Sequence, residues 1–229
     1  MVAENVHNIR RCIEAACARA GRSSEEVTLV AVAKTFESSL VRRAFEAGVL
    51  DIGENYVQEL REKQTELGDL QIRWHFVGHL QTNKVKQVVG SVGLIHSVDS
   101  VKLGREISKA ACKVGGETQV LVEVNTSGET TKHGVGPEET EPLVREVAGL
   151  PNVKLVGLMT IGPFLPDPEA SRPAFRLLQQ LRDSLRSSDL PLPHLSMGMT
   201  NDFEVAIEEG STIVRIGTAI FGQRVNRQQ

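Results

Sequence analysis

The sequence predicts an α/β fold, a single (β/α)8 TIM barrel, and three observations carry that expectation. Eight short apolar, β-branched segments alternate with helical patterns along the chain, the alternation that builds a parallel sheet with helices outside it. Glycine, hydroxyl and charged residues gather just after the predicted strand ends, where this fold collects its chemistry. The length, 229 residues, lies within the range of the fold, so one domain over residues 1–229 is expected. A doubly wound open sheet is the main competitor, but no GxGxxG follows the first strand.

At the N-terminus Val6, Ile9, Ile13, Ala16 and Ala20 recur at helical spacing, and Gly21 ends the helix. Residues 27–33 (VTLVAVA) read as the first strand, followed by a helix from Ser38, as N-cap, to Gly48. Residues 50–53 form the second strand and 56–67 a helix; 72–77 form the third strand and 83–89 a helix. A strand over 93–98 leads to a helix over 100–114, and 118–124 (TQVLVEV) is strongly strand-like. Pro137 opens a helix that runs to Gly149, before the sixth strand at 153–158. Phe175, Leu178, Leu181 and Leu185 share one face of a helix over 168–187. Residues 194–197 and 212–216 supply the last two strands, with a helix over 202–209 between them. The run 163–168 (PFLPDP) reads as a surface loop, not a domain boundary.

With 26 basic and 29 acidic residues the net charge is −3, so there is no electrostatic case for nucleic acid. No apolar run approaches the ~18 residues that would span a bilayer, and the polar N-terminus does not read as a signal peptide. Cys12, Cys17 and Cys112 are odd in number, lack CxxC spacing and read as small buried hydrophobes. A cytoplasmic location follows from these features, which makes the sequon at Asn125 a chance match. The histidines are scattered without HExxH spacing, so no metal site is expected.

Lys34 closes the first apolar strand. Burial disfavours an ammonium group, and the neutral amine is the species that attacks an aldehyde to form a Schiff base. The alternative is a lysine that caps the strand and points into water. Near the other end, 194–200 (HLSMGMT) and 211–222 (STIVRIGTAIFG) are two strands leading into loops rich in glycine and hydroxyl groups, suited to a phosphate. A reactive amine facing a phosphate cradle describes a site for a phosphorylated aldehyde, and pyridoxal 5′-phosphate is the biological molecule of that kind. Thr200 and Thr218 read equally as helix N-caps, Arg215 as a partner for a neighbouring element, and Met159, Met197 and Met199 as core fillers. Glu54 and Asn55 read as the start of the next helix, and Lys132 and His133 as solvated loop residues.

The segments AVAKT, DIGENYVQE, WHFVGHLQTNK, LVEVN followed by KHG, GLMTI, LSMGMTNDFEVAI and GSTIVRIGTAIFG resemble the pyridoxal-phosphate homeostasis proteins, a family similar in fold to the N-terminal barrel of alanine racemase. The resemblance runs in order from Val27 to Arg224. It implies that Lys34 is the Schiff-base lysine and that Ser196, Thr200, Gly217 and Thr218 surround the phosphate. It also implies that Arg215 faces the pyridine nitrogen and that Asn55 and Met197 line the pocket. It implies no catalytic residue. The family often carries proline at the position of His79, which leaves that histidine without an implied role.

An arginine does not surrender its proton, so one facing the ring nitrogen keeps the pyridine unprotonated and a weaker electron sink. Two-base racemisation also needs proton donors on both faces of the substrate carbon. In alanine racemase one is a tyrosine of a second domain, for which only residues 222–229 remain here, and the single tyrosine, Tyr56, sits early in the chain. The leading expectation is therefore a monomeric carrier or buffer of pyridoxal 5′-phosphate, with apoenzymes that need the cofactor as partners. The alternatives are an amino-acid racemase with an unidentified second base, and a barrel whose lysine condenses directly with a carbonyl substrate.

Overall fold

In the computed structural model, described over residues 1–223, the eight segments close into a barrel of parallel strands arranged in chain order. The strands are β1 Thr28–Val32, β2 Asp51–Glu54, β3 Arg73–Phe76, β4 Leu94–Val98, β5 Thr118–Glu123, β6 Val153–Met159, β7 His194–Ser196 and β8 Ile213–Ile216. β8 returns to β1 with Val30 level with Arg215, so the ring closes without a free edge. Arg224, the last residue of the family resemblance, lies outside the described residues.

The helices are α1 Val2–Arg19, α2 Ser38–Glu46, α3 Val57–Glu66, α4 Val101–Val114, α5 Pro137–Ala148, α6 Arg172–Leu185, α7 Phe203–Glu208 and α8 Thr218–Phe221. The helix expected over 83–89 is instead a 3-10 stretch, Thr82–Gln87, in which Val85 is the one buried side chain, too narrow an apolar face to hold an α-helix. The helix expected over 168–187 begins as a 3-10 turn, Pro168–Ser171, and becomes α6 where Pro173 fits the first turn. Ser38 is not a cap; Glu37 holds that position, and its side chain makes no capping hydrogen bond.

Two cores result. The larger lies between the outer face of the sheet and the helices, where Leu60, Leu103, Ile107, Phe175 and Leu178 are buried. The smaller fills the barrel: Val30, Leu94, Leu121, Val156, Met159 and Ile213 pack on one another inside it. Strand residues two apart share a face, so the parity that buries Val30, Leu94, Leu121 and Ile213 also turns His96, Glu123 and Arg215 inward. Among the cysteines, Cys17 is buried and Cys12 half-buried, but Cys112 is exposed on the last turn of α4.

Candidate functional site

Lys34 follows β1 by two residues, continues the parity of Val30 and Val32, and is half-buried at the mouth of the barrel. The chain turns sharply here, with Thr35 at φ 66°, a left-handed conformation that costs a non-glycine residue ~1–2 kcal/mol. An ion-paired group on β2 and α3 holds the turn. Lys63 Nζ, buried, donates to the Ala33 carbonyl at 2.7 Å, to Glu54 Oε1 at 2.6 Å and to Glu59 Oε2 at 3.0 Å. Glu59 Oε2 in turn accepts the Thr35 amide at 2.7 Å. The carbonyl before Lys34 and the amide after it are thus fastened to one buried cation and its partner. Glu54 is the last residue of β2, not a helix start; burial pushes its carboxyl up to about 7 while Lys63 pulls it down.

The facing wall comes from β7 and β8. Arg215 Nη1 donates to Ser196 Oγ at 2.6 Å and Nη2 to the Thr160 carbonyl at 2.8 Å. Burial lowers the guanidinium to about 10, against the pull of Glu123 and Asp202, so it stays charged at neutral pH. Neither Thr200 nor Thr218 is a helix cap: Asp202 and Gly217 hold those positions. The two threonine hydroxyls instead meet across the loops at 3.4 Å. Gly217 lies beside Val32, and a Cβ on it would come within 3.3 Å of the Val32 carbonyl. Gly198, at φ +93°, lies so near α7 that a Cβ would be 2.6 Å from that of Ala206, so the Ser-Met-Gly-Met turn admits only glycine there.

Asn55 completes the rim from β2; its Oδ1 is buried and has no hydrogen-bond partner. The fold therefore brings Lys34, Thr200, Gly217 and Thr218 to the mouth over Ser196 and Arg215, with Asn55 beside them. The Met197 side chain belongs to the outer core, fully buried.

Several residues of this interior carried no sequence signal. Glu123 ends β5 inside the mouth, 4% exposed, and burial pushes its carboxyl up to about 7, with Arg215 opposing and Asp99 adding. A carboxyl whose folded value exceeds its unfolded 4.5 favours folding most below that pH and loses the contribution as pH rises through about 7. Glu123→Gln is therefore expected to be more stable than the parent above pH 7, by up to about 3 kcal/mol, with the difference vanishing below about pH 4. Urea denaturation at the two pH values measures it.

His79, Asp99 and His133 also meet at the rim, so the histidines are not scattered. Their rings stack at 4.0 Å and 12°, and a metal ion must lie near the plane of each imidazole that binds it, so the two cannot share an ion until one ring turns. Lys132 is not solvated: its Nζ bonds Glu129 at 2.6 Å and the Gly162 carbonyl at 2.7 Å.

The model of the family "Alanine racemase, N-terminal domain" matches residues 5–225. A pyridoxal phosphate homeostasis protein of Aquifex aeolicus is 50% identical over 222 residues, covering 96% of this chain and 97% of that one. This chain belongs to that family. The human pyridoxal phosphate homeostasis protein is 44% identical over 209 residues, covering 86% of this chain and 76% of its own. Among solved structures, PipY of Synechococcus elongatus with PLP bound superposes with a TM-score of 0.85 at 30% identity, over 97% of this chain and 100% of that one. Alanine racemase of Corynebacterium glutamicum shares the fold, with a TM-score of 0.73 at 16% identity, over 100% of this chain and 62% of that one.

Proposed function

We propose that this protein binds pyridoxal 5′-phosphate as a Schiff base of Lys34 and serves cofactor homeostasis as a carrier or buffer. The observation that carries the reading is Lys34 at the end of β1 beside the β8 turn, where the hydroxyls of Thr200 and Thr218 converge over a side-chain-free Gly217. The homeostasis proteins among its relatives and PLP-bound PipY agree with it. When bound, pyridoxal 5′-phosphate supplies an aldehyde and a conjugated ring that absorbs visible light.

Lys34 Nζ adds to the aldehyde carbon and one water departs; the clamp from Lys63 and Glu59 fixes where that nitrogen starts. Thr200, Thr218 and the backbone at Gly217 receive the phosphate, with Ser196 below. Arg215 meets the pyridine nitrogen with donor hydrogens left over from Ser196 and Thr160, and Asn55 Oδ1 accepts a hydrogen that no protein group offers it. Met197 contributes its backbone beside Ser196. A guanidinium at the ring nitrogen holds back carbanion chemistry. Tyr56, the single tyrosine, is 54% exposed and so a poor second base.

The carrier works as a monomer in the cytoplasm and passes its cargo to apoenzymes. Incubation of the loaded protein with L-alanine tests it against the racemase alternative. Appearance of D-alanine far below 1 s⁻¹ is expected, and turnover of order 1 s⁻¹ or faster contradicts the carrier.

A further inference from the structure

A continuous string of hydrogen bonds crosses the barrel interior, from the first residue of β2 to the candidate phosphate wall. Asp51 Oδ1 contacts His75 Nε2 at 3.0 Å, His75 Nδ1 contacts His96 Nε2 at 2.9 Å, and His96 Nδ1 contacts Ser196 Oγ at 2.9 Å. Ser196 Oγ then meets Arg215 Nη1 at 2.6 Å. At the lower end Arg73 grips Asp51 with bonds of 2.9 and 2.6 Å, and both residues line a surface cleft of about 310 Å³.

The two ends fix the direction of every link. Arginine only donates, so Ser196 Oγ accepts from it. Burial works against the Asp51 carboxylate, but hydrogen bonds from His75 and Arg73 outweigh it and hold the group ionised, so it only accepts. His75 Nε2 therefore carries a hydrogen. With no second hydrogen on His75, its Nδ1 accepts from His96 Nε2, and His96 Nδ1 is left bare. Ser196 must then spend its one hydroxyl hydrogen on His96, inside the wall. If His75 takes a second proton, at Nδ1, every link above it inverts. His96 moves its own hydrogen to Nδ1 and donates to Ser196, whose oxygen now accepts from both sides. The hydroxyl hydrogen is then free of His96 and available to another acceptor.

We infer that Asp51, His75 and His96 are positioning residues that decide whether Ser196 can donate a hydrogen bond to a phosphate held at the β7–β8 wall. The inference rests on the phosphate placement proposed above. The charged and titratable groups facing the two histidines are Asp51 from β2, Arg73 on β3 itself, His194 from β7 and Arg215 from β8. Burial keeps His96 neutral, its value pushed well below the usual one, with His75, Arg215 and His194 adding.

Nitrogen NMR of ¹⁵N-histidine-labelled, cofactor-free protein tests the chain directly. In a sample buffered above the histidine range, His96 is expected as the Nε2–H tautomer, and on acidification it inverts to Nδ1–H together with proton uptake by His75. A bare Nε2 on His96 at the start, or no change when His75 charges, overturns the inference. The same acidification should tighten inorganic phosphate binding by the parent about tenfold, a gain that Ser196→Ala removes. Inverted tautomers with unchanged phosphate affinity also overturn it. If the variant does not fold, acid titration of the parent with phosphate present reads the same coupling. None of these measurements needs the cofactor, so failure of the Schiff-base reading is scored separately.

Discussion

Lys63→Met lowers stability by about 3–5 kcal/mol at neutral pH, the cost of removing one partner from a buried ion pair. Lys63 supplies three hydrogen bonds from a site 6% exposed, and methionine fills its volume while offering no donor. Glu54, fully buried, would be left without its cation, while the Ala33 carbonyl would keep only the Phe36 amide at 3.0 Å. The sign of the pH dependence follows from Glu54. Its carboxyl, already raised to about 7 with the cation present, climbs further without it, so acidification restores part of the loss by protonating it. Glu54→Gln combined with Lys63→Met should recover part of the stability at neutral pH, because a neutral amide replaces the stranded charge. For a chain of this size the single substitution corresponds to a fall in Tm on the order of 10 °C, read by calorimetry. A Tm within about 2 °C of the parent would show that the clamp does not hold the β1 turn.

Lys34→Ala acts on the ligand and leaves the fold standing. The side chain is half-buried at a barrel mouth, so its removal shifts stability by no more than about 1 kcal/mol. Covalent attachment, in contrast, is lost outright. The parent, incubated with pyridoxal 5′-phosphate and desalted, is expected to keep a visible absorbance band; the variant keeps none. Retention of the band by the alanine variant would place the linkage on another lysine.

The barrel was legible because its strands are β-branched runs and its helices carry apolar stripes, signals that survive in a single sequence. The 3-10 stretch at Thr82–Gln87 was not, since the helix expected there depended on tertiary burial of more than Val85. At the site, Lys34 and the glycine–hydroxyl loops were visible as residue types at strand ends. The clamp was not: Glu59 and Lys63 have the i,i+4 spacing of an ordinary surface pair, and only the approach of Glu54 and the Ala33 carbonyl makes them a buried anchor. The interior chain was hidden for the same reason. His75, His96 and Ser196 come from β3, β4 and β7, and nothing local in any of those strands announces the other two. Closure of the barrel puts them in line.

One measurement reaches the central claim most directly: borohydride reduction of the cofactor-loaded protein, followed by proteolysis and peptide mass mapping. A reduced phosphopyridoxyl group is expected on the peptide containing Lys34 and on no other. A tag on a different lysine, or an unmodified Lys34 peptide from protein saturated with pyridoxal 5′-phosphate, would contradict it.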